Sequence, residues 1–386
     1  MKSDLYIGIM SGTSMDAIDV VIARFDKFPE VVSEYSVPLR SELREILMDL
    51  ATKNEINIDL FVRTHFVLAQ EYASAVEASL KKAYLSPKDI RAIGLHGQTI
   101  RHLPKSEKIA PSLSETGATF QLGSGGALAA LSGIDVASDF RSGDIALGGE
   151  GAPLVPMFDY YFFRTNDRNR ILLNIGGIAN LTFIPACAEE MEVIAFDTGP
   201  GNMITDALAK EYYNKQFDNA GEIAGSGKID EELLLELLEN QYFTQPPPKS
   251  TGRELFGEKF LDIFKKKAAH RKLSASDALA TATELTARSI AEAFRFLPHE
   301  RLKTHPTEII ASGGGVKNIF LCQRLKELLP EMTFRISDEL GIPLQAKEAL
   351  AFAWFAKAFL QNEYIHLPAT TGAKRKIILG SLSKGR

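Results

Sequence analysis

Two apolar runs around a short polar loop, near the start of the chain, constrain the fold more than any other feature of the sequence. Residues 5–10 and 17–25 are the apolar runs, and Ser11-Gly12-Thr13-Ser14 begins the loop. Runs rich in Ile and Val that flank a Gly/Ser/Thr loop predict a β-hairpin. Gly12 would let a ligand approach the backbone, and neighbouring N–H groups and hydroxyls could line an anion site. The loop is therefore either a phosphate-binding turn or a turn without a ligand.

Two acidic residues lie beside this loop. Asp16 and Asp19 would repel a bare phosphate. Their presence fits a divalent cation that bridges a carboxylate and a phosphate.

A similar stretch occurs in the second half of the chain. Residues 170–184 again place an apolar run on each side of a short loop, which contains Asn174, Gly176 and Gly177. Self-similarity on this scale predicts two related domains rather than a short-period repeat. Two glycine-rich hairpins could grip a polyphosphate.

Composition limits the class of protein. The 386 residues are enough for two domains with full cores, and 45% hydrophobic with 24% charged residues is ordinary for a globular protein. The net charge of −5 gives no support for a nucleic-acid or membrane surface. Cys187 and Cys322 form no CxxC pattern, which disfavours structural zinc and favours a reducing compartment. With no signal-peptide pattern and no apolar run of about 18 residues, we expect a cytoplasmic enzyme.

Strand and helix patterns alternate along the chain, which predicts an α/β fold. Helices are expected at residues 41–53, 59–84, 203–214, 231–240, 276–297 and 347–360, and further strands at 30–37, 89–95, 134–137, 191–196, 307–311 and 377–379. Residues 139–156 are interpreted as a loop lining a cleft near the domain junction, and the proline-rich residues 245–249 as a stiff surface connection.

Two predicted strands end at candidate ligand-binding residues. Asp197 follows one apolar strand pattern, and its carboxylate could be a metal ligand or a general base. An Asx turn or a helix N-cap is the structural alternative. Gly313-Gly314-Gly315 follows another strand and precedes a helix, so either a phosphate or adenosine approaches its backbone or the glycines make a tight turn.

Three polar side chains are candidates for substrate contacts. His96 and Gln98 are as compatible with substrate hydrogen bonds as with a structural role. Arg141 lies between two aspartates in DFRSGD, so it could bind a substrate carboxylate in bidentate fashion or order its own loop through an ion pair.

These candidates lie within motifs that match one family. In chain order the motifs are MSGTSMDAIDV (10–20), GLHGQTIRHLP (94–104), FQLGSG (120–125), VASDFRSGDIALGGEGAPLVP (136–156), LNIGGIANLT (173–182), FDTGPGN (196–202) and GGGVKN (313–318). Across nearly the whole chain, they resemble the anhydro-N-acetylmuramic acid kinases of the sugar kinase, heat-shock ATPase and actin superfamily.

The resemblance implies a fold and an activity. The implied fold is two RNase H-like domains, a duplicated actin/sugar-kinase ATPase fold with an ATP cleft between them. We place the domains at residues 1–130 and 131–364, with a tail at 365–386 that this architecture allows to rejoin the first domain. The implied activity is ATP-dependent opening of 1,6-anhydro-N-acetylmuramic acid and phosphorylation of O6, giving N-acetylmuramic acid 6-phosphate and ADP in peptidoglycan recycling. ATP and Mg²⁺ are the implied cofactors.

The resemblance also implies roles for residues at matching positions. Asp197 would be the general base, and the sugar would contact His96, Gln98, Glu348 and Arg141, the last through its lactyl carboxylate. Asp16 would be the Mg²⁺ ligand. The implied nucleotide-binding residues are Gly12, Thr13, Ser14, Met15, Asp16, Ala17, Ile18, Asp19, Asn174, Gly176, Gly177, Gly313, Gly314 and Gly315. The chain departs from the family at Ala17, where glycine is expected, and this small side chain requires only a modest backbone adjustment.

Other functions remain open at this stage. Another sugar or carboxylate kinase of the superfamily would keep the same phosphate loops. An actin- or chaperone-like ATPase is disfavoured because the sequence shows no long peptide-binding appendage, and a sugar sensor without catalysis is disfavoured by Asp197. The expected partners are the anhydro sugar and ATP, and a homodimer is compatible with the sequence.

Overall fold

Both predicted hairpins are present in the computed structural model, which describes residues 4–12 and 14–385. Numbered along the chain, the strands are β1 (Leu5–Ser11), β2 (Ala17–Phe25), β3 (Pro29–Pro38), β4 (Ile90–Glu107), β5 (Thr116–Leu122), β6 (Val136–Ser138), β7 (Asn169–Ile175), β8 (Ile178–Ile184), β9 (Ile194–Pro200), β10 (Thr307–Ser312), β11 (Thr333–Ile336) and β12 (Ser381–Ser383). The helices are α1 (Ser41–Thr52), α2 (Ile58–Lys82), α3 (Gly125–Ser132), α4 (Ser142–Ala146), α5 (Val155–Phe163), α6 (Met203–Tyr213), α7 (Glu222–Ser226), α8 (Glu231–Leu238), α9 (Gln241–Thr244), α10 (Arg253–Phe256), α11 (Glu258–His270), α12 (Ala275–Ala293), α13 (His299–Thr304), α14 (Ile319–Leu328), α15 (Lys347–Leu360) and α16 (Pro368–Thr371).

The two sheets share one topology. The first has the order β12-β6-β4-β1-β2-β3, with β5 paired to β4, and the second has the order β11-β10-β7-β8-β9. Each sheet begins with an antiparallel meander, β1-β2-β3 in the first and β7-β8-β9 in the second. The first strand of each meander then pairs in parallel with the strand that follows the meander in chain order, so that β1 pairs with β4 and β7 pairs with β10. This repeated order confirms the prediction of two related α/β domains of the RNase H-like type.

The chain divides into two compact units at positions that differ from the expected boundary. One unit comprises Met1–Phe162 together with Ala346–Arg386, and the other is Phe163–Gln345. The expected boundary at residue 130 falls inside α3, whose Leu128 and Ala129 are buried in the core of the first unit. Contacts distant in sequence account for the difference, since β12 pairs with β6 and α15 packs on β1 and β4.

Several elements differ from the local sequence patterns. Strand β4 continues through residues 96–99 because it pairs with β5, and β9 continues through Asp197 because it pairs with β8. The tail strand is at residues 381–383 rather than 377–379, and residues 139–156 contain α4 and the start of α5. A short 3₁₀ turn, Gly314–Lys317, contains the last two of the three glycines and precedes α14. Within the described residues, no helix is long and apolar enough to cross a membrane.

Helix α15 packs directly on the backbone of the first sheet. Gly8 of β1 and Gly94 of β4 are paired in register and lie under the helix. A Cβ on Gly8 would lie 1.8 Å from the carbonyl oxygen of Ala349, and a Cβ on Gly94 would lie 1.8 Å from that of Phe352. Only glycine permits this approach. On the other face, a core that includes Ile7, Ile9 and Tyr72 packs the sheet against α1 and α2.

Alanine at Gly8 or Gly94 should lower the free energy of unfolding by about 3 kcal/mol or more, because the new Cβ forces helix and sheet apart. Urea unfolding followed by circular dichroism measures this quantity. Gly126→Ala is the matched control, since Gly126 is exposed in α3 and its Cβ would meet nothing nearer than 3.8 Å. That variant should gain up to about 1 kcal/mol from helix propensity. Equal stability of the Gly8 and Gly126 variants would contradict the packing argument.

Candidate active site

The first predicted phosphate loop joins β1 to β2 in the first unit. The N–H of Met15 donates to the carbonyl of Gly12 at 3.1 Å, and the Met15 backbone has a φ of 55°. Its side chain is buried. The buried side chain anchors the turn in the core. Ala17 and Ile18 already belong to β2, and Ile18 points into the core. Thr13 lies outside the described residues.

Two side chains from other elements brace this loop. Gln98 is fully buried in β4 and donates from Nε2 to the carbonyl of Gly12 at 3.2 Å. Arg44 of α1 pairs with the Asp16 carboxylate at 2.9 Å. In the part of the chain that the structure describes, Gln98 Oε1 is buried without a hydrogen-bond partner. Because buried polar atoms normally have partners, this oxygen is available to a ligand. Gln98 thus lies against the loop, a contact that the resemblance did not imply.

Buried His96 and half-buried Arg141 form a hydrogen-bonded pair in the same unit. The Arg141 guanidinium donates from Nη2 to His96 Nε2 at 2.8 Å and from Nη1 to the carbonyl of Gly151 at 2.6 Å. Burial and the neighbouring guanidinium hold the pKa of His96 well below its usual value, so the imidazole is neutral. Burial lowers the pKa of Arg141 to about 10, which leaves it charged at neutral pH. The pair therefore offers one partly desolvated positive charge.

Two carboxyl groups accompany this charge. Glu348, at the start of α15, interacts electrostatically with Arg141 and Asp19. Burial raises the pKa of Glu348 above its ordinary value, although Lys347 and Arg141 oppose the shift. Burial also raises the pKa of Asp19, in β2. Glu348 thus interacts both with Arg141 of the His96 pair and with Asp19, which was expected only in the nucleotide loop.

The segment that carries Arg141 is held by a buried carboxylate. Asp144 Oδ1 accepts from His366 Nε2 at 2.5 Å and from Thr371 Oγ1 at 2.6 Å, and Oδ2 accepts from the N–H of Gly151 at 2.6 Å. Burial alone would raise the pKa of Asp144, but these hydrogen bonds outweigh it and hold the pKa below its usual value. Asp144 thus ties residues 144–151 to the C-terminal segment and fixes the carbonyl that accepts from Arg141.

In the second unit, the second hairpin loop lies against the triple glycine. The N–H groups of Gly201 and Asn202 donate to Gly177 and Gly176, each at 2.8 Å. A Cβ on Gly313 would lie 2.7 Å from Asn174 Oδ1, and one on Gly315 would lie 3.0 Å from Asn202 Oδ1. The structure thus brings together the Asn174 loop, residues 313–315 and Asn202, which precedes α6 and which sequence reasoning did not single out.

Asp197 lies within β9 of the second unit, not after it as expected, and is half-buried. Its Oδ2 accepts from the N–H of Thr251 at 2.8 Å, and its own N–H donates to the carbonyl of Lys249 at 3.2 Å. The Tyr242 hydroxyl donates to the Asp197 carbonyl at 2.8 Å. The carboxylate is thus oriented from outside its strand, in the way a general base requires.

Sequence reasoning missed Lys249 and Thr251. The proline run at residues 246–248 suggested a stiff connection on the surface, yet Lys249 is half-buried and packs against aromatic rings. The one available signal was the cluster of polar residues at 249–253 directly after the prolines.

Comparison with known proteins shows which family the chain belongs to. The sequence pattern of the family described as anhydro-N-acetylmuramic acid kinase matches residues 4–385. An anhydro-N-acetylmuramic acid kinase of Coxiella burnetii is 41% identical over 385 residues, covering 100% of this chain and 99% of its own. The protein of the same name from Shewanella amazonensis is 41% identical over 382 residues, with 99% of each chain covered. Another, from Caldanaerobacter subterraneus, is 36% identical over 388 residues, with 98% and 96% covered. The chain belongs to the anhydro-N-acetylmuramic acid kinase family.

Proposed function

We propose that this protein is an ATP-dependent kinase that opens 1,6-anhydro-N-acetylmuramic acid and phosphorylates O6, yielding N-acetylmuramic acid 6-phosphate and ADP for peptidoglycan recycling. The family match over residues 4–385 is the observation that carries the proposal. Because the reaction consumes ATP, we assign it to the cytoplasm.

Asp197 is the proposed general base. It takes a proton from a water molecule, whose oxygen bonds to the anomeric carbon of the sugar. The bond from that carbon to the bridging oxygen breaks, and the freed O6 bonds to the γ-phosphorus of ATP while ADP leaves. The N–H of Thr251 keeps Asp197 Oδ2 fixed, so the carboxylate needs little reorientation before proton transfer.

The glycine loops are the proposed binding elements for ATP. Residues 12–19 would hold phosphate through the first loop, and Asn174, Gly176 and Gly177 through the second. Gly313, Gly314 and Gly315 would lie by the adenosine. Backbone N–H groups stabilise developing phosphate charge when they are held in place beforehand, and Met15 and Gln98 hold the first loop.

Mg²⁺ is the proposed metal, with Asp16 as its protein ligand. Within residues 4–12 and 14–385, no three His, Cys, Asp or Glu side chains converge as a metal site. A single carboxylate is enough here, because Mg²⁺ in kinases is held by one or two carboxylates together with phosphates and water. The ion pair from Arg44 to Asp16 is half-exposed, so it is weak enough to yield to the metal. When bound, Mg²⁺ would neutralise phosphate charge.

Arg141 is the proposed anchor for the sugar. Its half-buried positive charge suits the lactyl carboxylate that distinguishes muramic acid from other amino sugars, and the neutral His96 beside it adds no second charge. Glu348 and Gln98 Oε1 would accept hydrogen bonds from the polar groups of the sugar.

A second copy of the chain is the partner that we propose for an exposed apolar stripe on α2. Ile58, Val62 and Phe66 follow one another at helical spacing, with side chains 65%, 49% and 52% exposed. Contiguous exposed apolar surface marks an interaction site. In a twofold-symmetric dimer, the stripe of one chain packs against the same stripe of the other, and both are buried.

The reaction is tested by incubating the protein with ATP, Mg²⁺ and the anhydro sugar in H₂¹⁸O and measuring the mass of the product by mass spectrometry. We expect a sugar phosphate carrying one ¹⁸O at the anomeric hydroxyl. Asp197→Asn should lose about 100- to 10,000-fold in kcat and still bind ATP. Absence of labelled sugar phosphate would refute the assigned substrate, and near-full turnover of Asp197→Asn would remove this residue from the role of base.

Arg141→Ala should weaken sugar binding about 10- to 100-fold, because a hydrogen bond to a charged group is worth about 1.5–3 kcal/mol. Binding of a non-hydrolysable ATP analogue should change less than about threefold, since Arg141 donates to His96 and to the carbonyl of Gly151, neither of which is a proposed ATP-binding residue. Titration calorimetry measures both affinities, and Arg141→Lys should recover part of the loss. Equal losses for both ligands would show that Arg141 is only structural.

Light scattering after size exclusion should give twice the chain mass of 42.4 kDa for the wild type. Phe66→Glu places a charge in the apolar stripe and should give the single-chain mass. Leu235→Glu is the control, because Leu235 is 58% exposed on α8 of the other unit and should remain dimeric. A monomeric wild type would overturn the proposed dimer.

A further inference from the structure

A segment outside the recognised motifs holds Asp197. We call residues 245–251 the strap, which follows α9. Its Thr251 N–H donates to the Asp197 carboxylate at 2.8 Å, and its Lys249 carbonyl accepts from the Asp197 N–H at 3.2 Å. The orientation of the carboxylate therefore depends on where the strap lies.

Lys249 fixes the strap to the rest of the unit. Its Nζ lies 4.7 Å from the ring centre of Tyr242, 4.7 Å from that of Phe296 and 5.7 Å from that of Phe196. The ammonium also donates to the carbonyl of Tyr242 at 3.0 Å. A cation that faces three rings gains cation–π energy, and more so when it is partly desolvated. These contacts tie the strap to α9, to β9 and to the turn after α12.

The charges around Lys249 are Arg295 and Asp197. Burial and the nearby Arg295 lower the pKa of Lys249 to about 8, and Asp197 opposes this shift. Arg295 is itself held by the carbonyl of Phe243, to which its Nη2 donates at 2.6 Å, and it pairs with Glu292 at 3.7 Å. The Tyr242 hydroxyl donates to the Asp197 carbonyl. Lys249 is therefore a cation at neutral pH that loses its proton under mildly alkaline conditions.

We propose that Lys249 is a positioning residue for the reaction: its ammonium, locked among three aromatic rings, holds the strap so that the Thr251 N–H keeps the Asp197 carboxylate in its working orientation. The inference rests on the proposed function, with Asp197 as base. Lys249 itself touches neither reacting group in this scheme. Its effect is on the geometry of the base, so it should appear in kcat rather than in substrate binding.

Lys249→Met tests the charge while keeping an unbranched side chain among the rings. Its kcat should fall about 10- to 100-fold, the usual consequence of displacing a catalytic group by about 1 Å. KM for ATP and for the sugar should stay within about twofold. Lys249→Arg keeps a cation over the rings and should recover most of the loss. Lys326→Met is the matched control, because Lys326 Nζ lies 5.6 Å from the Phe334 ring and its residue belongs to α14 rather than to the strap, so its kcat should equal the wild type.

The pH profile separates positioning from simple stability. The wild-type kcat should fall as pH rises through about 8, where Lys249 loses the charge that holds the strap. Because a guanidinium stays protonated at that pH, Lys249→Arg should lose this alkaline limb. Retention of the limb in Lys249→Arg, or a full kcat in Lys249→Met, would overturn the inference.

These outcomes are distinct from a failure of the proposed function. If wild-type protein makes the labelled sugar phosphate and Asp197→Asn does not, the proposed function stands whatever the Lys249 variants do. If wild-type protein makes no sugar phosphate, or Asp197→Asn retains its turnover, the proposed function fails, and the positioning role with it. A loss in Lys249→Met that is confined to KM, with kcat intact, would show that Lys249 binds substrate and would likewise refute positioning.

Discussion

The contact between α15 and two glycines is the constraint on which the first unit depends. A helix can lie on the backbone of a sheet only where the strands below it carry no side chains, and Gly8 and Gly94 provide that surface side by side. The start of this helix carries Glu348, and the close approach brings its carboxyl near Arg141 and Asp19. Backbone packing thus decides which charged groups meet in this part of the molecule.

Burial makes those charges effective. Arg141 keeps its charge although it is half-buried, His96 is neutral beside it, and the pKa of Glu348 is raised. A desolvated cation attracts an anionic ligand more strongly than one in water, because the local dielectric is low. Asp144 accepts three hydrogen bonds and thereby fixes the segment that contains Gly151. The Gly151 carbonyl in turn accepts from Arg141, which keeps the guanidinium in place.

The two units use the same strand order for different purposes. In each, a glycine-containing turn joins the first two strands of a meander. The third strand diverges, since β3 alternates between exposed and half-buried positions after its first residue, whereas β9 is mostly buried and carries Asp197. Unit 2 also inserts the strap after α9, which gives Asp197 a hydrogen-bond donor from outside the sheet. Duplication thus supplied two loops, and divergence supplied a carboxylate of fixed orientation.

The sequence by itself determined the features that depend on neighbouring residues: both hairpins, most helices, including all of α15, and the motifs that identify the family. Strand patterns with a period of two residues and helical patterns depend only on residues close in sequence, so they can be recognised without knowing the fold. Only the tertiary structure decided that residues 346–364 join the first unit together with the tail, that Gln98 braces the loop at Gly12, and that Lys249 lies among three rings beside Asp197. Each of these contacts joins residues far apart in sequence, and which distant residues meet depends on how whole elements pack.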